Sequence, residues 1–284
     1  MEGAAAKLAP LPERAGAAQF RVHLLTGRRF WYQSAFCLHS LSRASGCGVG
    51  ADIYDDGTLD DRLQSTLRRL VPAAAIHTHG ALTDRLDALL PESRFPVLRE
   101  RWRNYPNIRT LIDPHLGYKG WKLVIDSDLL FFRRPSFLID WILNPDRPVH
   151  GVDCEESYGY SRSLMERLAG APVPPLVNTG LCGMKSESID WCEVEAWCAE
   201  LIAREKKHYF LSQAIVAMLL ARSPTIATAP AKDYVTKPDR HEALNPRAVM
   251  HHYVAESKRW YFGTDWRLAR DLPETPIERS AHPG

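Results

Sequence analysis

Gly120-Trp-Lys-Leu-Val-Ile-Asp-Ser-Asp-Leu-Leu-Phe-Phe-Arg-Arg-Pro135 decides how this chain reads. An apolar run from Trp121 to Ile125 leads into two carboxylates, Asp126 and Asp128, and a second apolar run extends to Phe132. β-Branched and aromatic members in a continuous run, without alternation, predict a central strand buried on both faces. Acids at the end of such a strand need a counter-charge or a metal. A hard divalent cation suits them, because Mg²⁺ and Mn²⁺ take oxygen ligands and share them with substrate phosphates. Asp-Ser-Asp is therefore a candidate metal-diphosphate motif. Taken alone, the tripeptide also reads as solvated acids in a strand-to-loop turn, so its meaning depends on the rest of the chain.

The 284 residues suffice for one large α/β domain or two small ones, and 45% hydrophobic with 25% charged residues is ordinary for a globular protein. No run of about eighteen apolar residues predicts a transmembrane helix. Lys7, Glu13 and Arg14 interrupt the Ala-rich start, against a secretory signal, so a cytoplasmic protein without an integral membrane segment is expected. A formal charge of +2 with scattered basic residues gives no footprint for nucleic acid. The six cysteines form no Cys-x-x-Cys pair and no finger-like spacing with histidine, which predicts free, mostly buried thiols.

Residues 1–18, rich in Ala, Pro and Gly, read as a mobile leader. Residues 19–284 read as a single domain, its nucleotide-binding part about 19–135 and its acceptor and sugar part about 136–262. The first predicted strand, Phe20 to Leu25, runs into Thr26-Gly27 and a helix from Trp31 to Leu41, the opening of an α/β unit whose ligands collect at strand carboxyl ends. A second strand, Gly50 to Tyr54, ends in Asp55-Asp56-Gly57-Thr58. That sequence is a turn signal, and its acids also suit a ribose or base. Leu59, Leu63, Leu67 and Leu70 then recur at helical spacing, and Ala73 to His77 predicts a third strand. His77 and His79, with no acid or thiol cluster nearby, read as structural.

From Ala81 to Leu116 the pattern is helical, broken at Pro91, Pro96, Pro106 and Pro114. Its arginines form a solvated face, with Arg109 as the candidate phosphate fork. A helix is predicted from Pro135 to Leu143, and a strand at Val149 to Val152 ends at Asp153. The following loop to Tyr160 is acidic and aromatic, a composition that suits a hydroxyl-rich ligand or simply solvent. Asn178-Thr179-Gly180 lies within a strand from Leu176 to Met184, where an internal glycine signals close approach. A helix around Ile189 to Leu201 and a second carrying Gln213 follow. The tail, Met250 to Trp260, offers His252 as a metal ligand and Lys258 as a phosphate partner. The aromatic and basic residues from Trp260 to Arg267 suit either a peripheral membrane contact or packing on the domain.

This ordered set resembles the GT-A fold nucleotide-sugar glycosyltransferases, closest to the retaining glycogenin and bacterial galactosyltransferase group. The resemblance covers roughly Val22 to Trp260 as separated motifs. It implies an α/β fold with a central mixed, mostly parallel sheet flanked by helices. It also implies a Mn²⁺ or Mg²⁺ held by Asp126, Asp128 and His252, with Lys258 on phosphate. Asn178, Thr179 and Gly180 match the strand near the donor sugar, Ser127 lies within the acidic motif, and Gln213 matches the polar pair that begins the following helix and is, with Asp153, the candidate catalytic residue. Ser212 stands where that pair is commonly acidic, and Ala255 and Arg259 replace a Gly and a Pro of the tail pattern. Asp55-Asp56-Gly57-Thr58 is closer to a motif of an inverting group, which leaves retention against inversion open. Inversion needs a carboxylate base, for which Asp153, Glu155 and Glu156 are available.

The function expected is transfer of a sugar, a hexose by resemblance, from a UDP-sugar to an acceptor that is a saccharide, a lipid-linked species or a small molecule. Haloacid-dehalogenase-like phosphatases also follow an apolar strand with Asp-x-Asp. Here Tyr54 occupies the nucleophile position of one match and Leu130 departs from the other, and that reading leaves His252 and Lys258 unexplained. A non-catalytic sugar-nucleotide-binding protein and a nucleotidyltransferase complete the alternatives.

Overall fold

The computed structural model describes residues 1–12 and 19–276. In chain order the elements begin α1 (Glu2–Ala5), β1 (Gln19–Thr26), α2 (Trp31–Ser45), β2 (Gly48–Asp55), α3 (Asp61–Leu70), β3 (Ala74–His77), α4 (His79–Leu89), α5 (Pro96–Asn104) and α6 (Arg109–His115). They continue with β4 (Trp121–Ile125), β5 (Leu129–Phe131), α7 (Ser136–Leu143), β6 (Val149–Val152), α8 (Arg162–Ala169), β7 (Val177–Lys185), α9 (Trp191–Glu205) and α10 (Leu211–Ala221). Last come β8 (Ala227–Thr228), β9 (Tyr234–Thr236), α11 (Arg240–Leu244), β10 (Met250–His252) and short helical turns from Ala255 to Arg270. The chain is α/β, with seven strands in the main sheet and three in a second.

Two compact units divide these elements: Met1–Ile76 with Ile125–Pro145 and Ala229–Gly284, and His77–Val124 with Asp146–Thr228. In the first, the main-sheet strands run β3-β2-β1, and β1 and β2 are parallel in a register that sets Thr26 opposite Asp55. The second sheet, β5-β10-β9, also lies in this unit. Helix α2 is buried on nearly every side and stops at Gly46, whose φ of 68° makes it a left-handed C-terminal cap. Asp60 caps α3 by accepting from the Leu63 N–H at 2.8 Å, and Leu67 and Leu70 face inward as their spacing predicts.

Part of the stretch read as a leader packs onto this unit. Ala5, Leu8 and Leu11 are buried, the Leu11 N–H donates to the Leu70 carbonyl at 2.8 Å, and Arg69 donates to the carbonyls of Ala6 and Leu8. Residues 13–18 lie outside the described residues. Among the C-terminal aromatics, Tyr261 and Trp266 are buried, Trp266 against Phe36 with ring centroids 5.1 Å apart, while Phe262 is exposed. Domain packing thus accounts for two of the rings considered for a membrane surface. Among the described residues no helix is long and apolar enough to cross a membrane.

In the second unit the strands run β4-β7-β6-β8, with β6 antiparallel to β7 and parallel to β8. The predicted prolines act mainly as starts: Pro96 opens α5 and Pro106 opens a 3₁₀ turn, positions where a missing N–H costs nothing, while Pro114 sits inside the last turn of α6. Helix α8 was not expected. Its local signals are the N-cap position of Ser161, the buried Leu164 and Met165, and Gly170 in the left-handed conformation after its end.

The opening stretch folds as its pattern predicts: β4 is the fourth of the seven strands in the main-sheet order and ends directly before Asp126, the chain turns at Asp126 to Asp128, and the second apolar run, β5, joins the second sheet. Leu123 to Ile125 of the first run and all of β5 are buried, which is why their composition looks alike.

Candidate functional site

The turn between β4 and β5 carries Asp126, Ser127 and Asp128. Strand β10 lies antiparallel to β5 with His252 opposite Leu129, the residue after Asp128, so the tail meets the acidic turn through main-chain pairing. His252 Nε2 lies 3.4 Å from Asp128 Oδ1 and 3.7 Å from Asp126 Oδ2. One donor atom from each of the three residues falls within 4.8 Å of the others. Lys258 Nζ lies 3.2 Å from Asp128 Oδ2.

Burial, and then the neighbouring charge of Asp128, pushes the Asp126 carboxyl up to about 6. Burial also pushes Asp128 upward, but the His252 hydrogen bond and charge, with Lys258, outweigh it and leave that carboxyl below its ordinary value. Two crowded carboxylates and an imidazole are hard and borderline donors of the kind that hold Mn²⁺ or Mg²⁺, and a cation would relieve the repulsion that raises Asp126. The donor set fits such an ion. Beneath the turn, buried Cys37 donates to the Asp126 carbonyl at 3.7 Å, and Ser127 Oγ reaches Gln33 Oε1 at 3.5 Å. Gln33, a buried polar residue in the first turn of α2, was not singled out from the sequence, where it looks like any helix residue.

The ends of β1 and β2 in the same unit bring Thr26, Gly27, Asp55 and Asp56 together. Buried Thr26 accepts from Ser34 Oγ at 2.8 Å, and its carbonyl accepts from the Asp56 N–H at 2.9 Å. Asp55 Oδ1 accepts from the N–H groups of Gly57, Thr58 and Leu59 at 2.8, 3.1 and 3.0 Å, so one of its oxygens closes the turn. Asp56 Oδ1 is held by the Thr58 N–H at 2.9 Å and the Thr58 hydroxyl at 2.5 Å. A Cβ on Gly27 would lie 2.1 Å from that carboxyl group. Gly27→Ala is therefore expected to displace the Asp56 carboxylate from Thr58 and cost about 1 kcal/mol in lost hydrogen bonding. A urea melt that leaves the variant as stable as the parent would contradict this.

In the second unit, Asp153 follows β6 and Gln213 lies on the first turn of α10. Gln213 is 9% exposed, neither a surface residue nor a cap, and its Nε2 donates to Asp153 Oδ2 at 2.9 Å. The two residues expected to serve catalysis are therefore partners. Asp153 Oδ1 also accepts from the Cys154 N–H at 2.8 Å, and the Asp153 N–H bonds the Leu176 carbonyl at 2.8 Å. Leu176 has a φ of 52°, a strained value for a branched residue. Asn178 pairs across the ladder with Gly151 beside a β-bulge, and its Oδ1 accepts from the Gly180 N–H at 3.0 Å across Thr179.

Arg109 lies in the second unit. It is buried, its Nε donates to the equally buried Asp113 at 2.9 Å, and its guanidinium lies 4.3 Å from the centre of the Trp102 ring. Trp102 Nε1 donates to the other Asp113 oxygen at 2.7 Å, so Arg109, Asp113 and Trp102 form one buried cluster. The isolated sequence could not show this, because Asp113 is the i+4 partner that burial, not spacing alone, makes important.

No protein-family model matches the chain, and no curated protein matches its sequence. Solved structures do match its shape. Mouse xyloside xylosyltransferase 1 in its apo form aligns with a TM-score of 0.55 at 12% identity, over 84% of this chain and 99% of that one. The galactosyltransferase LgtC, in complex with donor and acceptor sugar analogues, aligns with a TM-score of 0.56 at 12% identity, over 90% and 97%. The glycosyltransferase GlyE of Streptococcus pneumoniae aligns with a TM-score of 0.54 at 12% identity, over 89% and 62%. The fold is therefore the GT-A fold that the motifs imply.

Proposed function

We propose that this chain is a metal-dependent glycosyltransferase that moves a sugar, a hexose, from a UDP-sugar to an acceptor with retention of configuration. The observation that supports this best is the convergence of Asp126, Asp128 and His252, with Lys258 against Asp128, on a fold shared with glycosyltransferases. A phosphatase gives no work to His252 and Lys258. Retention is taken from the sequence group whose Asn-small-Gly strand and Gln-bearing helix are matched by Asn178 to Gly180 and Gln213.

In this reading Asp126, Asp128 and His252 hold Mn²⁺ or Mg²⁺, which when bound neutralises the leaving diphosphate. Lys258 adds a compact positive charge to the phosphates. Thr26, Gly27, Asp55 and Asp56, at adjacent strand ends, hold the nucleoside, and Ser127 contributes from within the acidic turn. Asn178, Thr179 and Gly180 meet the donor sugar. Gln213 orients the Asp153 carboxylate, and that pair serves the catalytic step. The acceptor is a saccharide, a lipid-linked species or a small molecule, and the reaction is placed in the cytoplasm.

Thermal denaturation with UDP and UDP-sugars tests the donor and metal. Added together, Mn²⁺ and the matching compound are expected to stabilise the protein by about 2.7 kcal/mol at a hundredfold excess over Kd, and either alone by much less. No stabilisation by any UDP compound would end this reading. Turnover of the stabilising UDP-sugar separates an enzyme from a binding protein, and the anomeric proton signal of the product reports retention or inversion.

A further inference from the structure

On the strand that carries His252, the neighbouring residues do something the metal reading does not use. Side chains alternate along a strand, so His251 and Tyr253 lie on the face opposite His252. His251, Tyr253 and Asp265 are each 0% exposed. They form a continuous polar chain: His251 Nε2 lies 3.1 Å from Glu242 Oε1, His251 Nδ1 lies 3.0 Å from the Tyr253 hydroxyl, and that hydroxyl donates to Asp265 Oδ2 at 2.7 Å. Both ends are tied down. Glu242 Oε1 accepts from the N–H groups of Arg247 and Ala248 at 2.7 and 2.8 Å, and Asp265 Oδ1 accepts from the Thr264 hydroxyl at 2.6 Å.

The chain joins three segments. Glu242 lies on α11, His251 on β10 with Tyr253 just after it, and Asp265 ends a π-helical turn, Tyr261–Asp265, that follows the helical turn of Lys258. The Tyr253 N–H also donates to the Asp128 carbonyl at 3.3 Å. His252 and Lys258, the two tail residues beside the acidic turn, are thus carried by segments clamped from behind by one buried network. Buried polar groups are costly unless fully bonded, so a network of this kind permits few alternative arrangements.

We infer that Glu242, His251, Tyr253 and Asp265 are positioning residues that hold His252 and Lys258 against Asp126 and Asp128, and so set the affinity of this unit for a divalent cation. The inference rests on the metal reading above. Removing the Tyr253 hydroxyl leaves the Asp265 carboxylate and His251 Nδ1 each short of a partner while keeping the ring. Tyr253→Phe, and Asp265→Ala, which removes the acceptor of that hydroxyl, are therefore expected to weaken Mn²⁺ binding roughly tenfold, the scale on which residues behind metal ligands act.

Mn²⁺ titrations of the full chain, read by the electron paramagnetic resonance of the free ion, test this without any assay of activity. Val194→Ala, a core truncation in α9 of the other unit, serves as the control for lost stability alone. Tenfold weaker Mn²⁺ binding in Tyr253→Phe and Asp265→Ala, with parental binding in folded Val194→Ala, supports the inference. Parental Mn²⁺ binding in a folded Tyr253→Phe variant overturns it and leaves the metal site standing. Equal weakening in the control overturns it as well, by assigning the effect to general stability. A parent chain that binds no Mn²⁺ overturns the metal reading and the inference together.

Discussion

Asp128→Ala is expected to abolish Mn²⁺-dependent transfer or hydrolysis of the UDP-sugar, a loss of about 10³ in kcat/KM. Asp128 has the most partners of the acidic turn. One oxygen faces His252, the other faces Lys258, and its carbonyl accepts from Tyr253. The substitution keeps the carbonyl, so the pairing of the tail with the turn survives while the carboxylate is lost. His252 and Lys258 then lose the charge that draws them together, and the cation loses one of its three donors. Rates measured over a Mn²⁺ series separate weaker metal binding, recovered at high metal, from lost chemistry, which is not. Activity equal to the parent at every Mn²⁺ concentration would sink the assignment of the turn.

Asp153→Asn is expected to lower kcat by about 10² to 10³ while leaving Mn²⁺ and UDP binding close to parental values. The change is isosteric, but both carboxylate oxygens accept, one from Gln213 and one from the Cys154 N–H, so the amide keeps one of these bonds and loses the other at a cost of about 1 kcal/mol, which leaves the fold intact. Gln213→Ala removes the Asp153 partner instead, and a smaller loss in kcat is expected from a carboxylate that is present but less well held. The metal donors and the β1 and β2 strand ends belong to the other unit, which is why binding and rate are expected to separate. Equal losses in UDP affinity and kcat would place Asp153 in donor binding rather than in the chemistry.

Much of this architecture was legible because its signals are local. The 3.6-residue recurrence of Leu63, Leu67 and Leu70 needs nothing beyond its own helix, and α3 forms there. The strands from Phe20, Gly50 and Val149 were likewise visible as short β-rich runs, and each ends at the residues expected to bear chemistry. Helix α8 leaves little trace in the sequence because its 8 residues span too few turns for a helical period to stand out. The burial of Arg109 was hidden for a different reason. An arginine written in sequence carries no information on whether its charge meets solvent, a ligand or a buried acid.

By itself, the sequence determined that an apolar strand ends in Asp-Ser-Asp, that the chain is α/β, and that its motifs follow the order of a sugar-nucleotide transferase. The first two depend on composition and spacing over a few residues, and the third is a resemblance carried by separated motifs. Only tertiary structure decided that β5 leaves the main sheet, that His252 pairs opposite Leu129, that Gln213 bonds Asp153, and that His251 and Tyr253 form a buried chain with Glu242 and Asp265. Each joins segments far apart in sequence, and strand register follows from how whole faces bury together rather than from any local pattern. The acidic turn was readable in advance, but what stands against it was chosen by the packing of the tail.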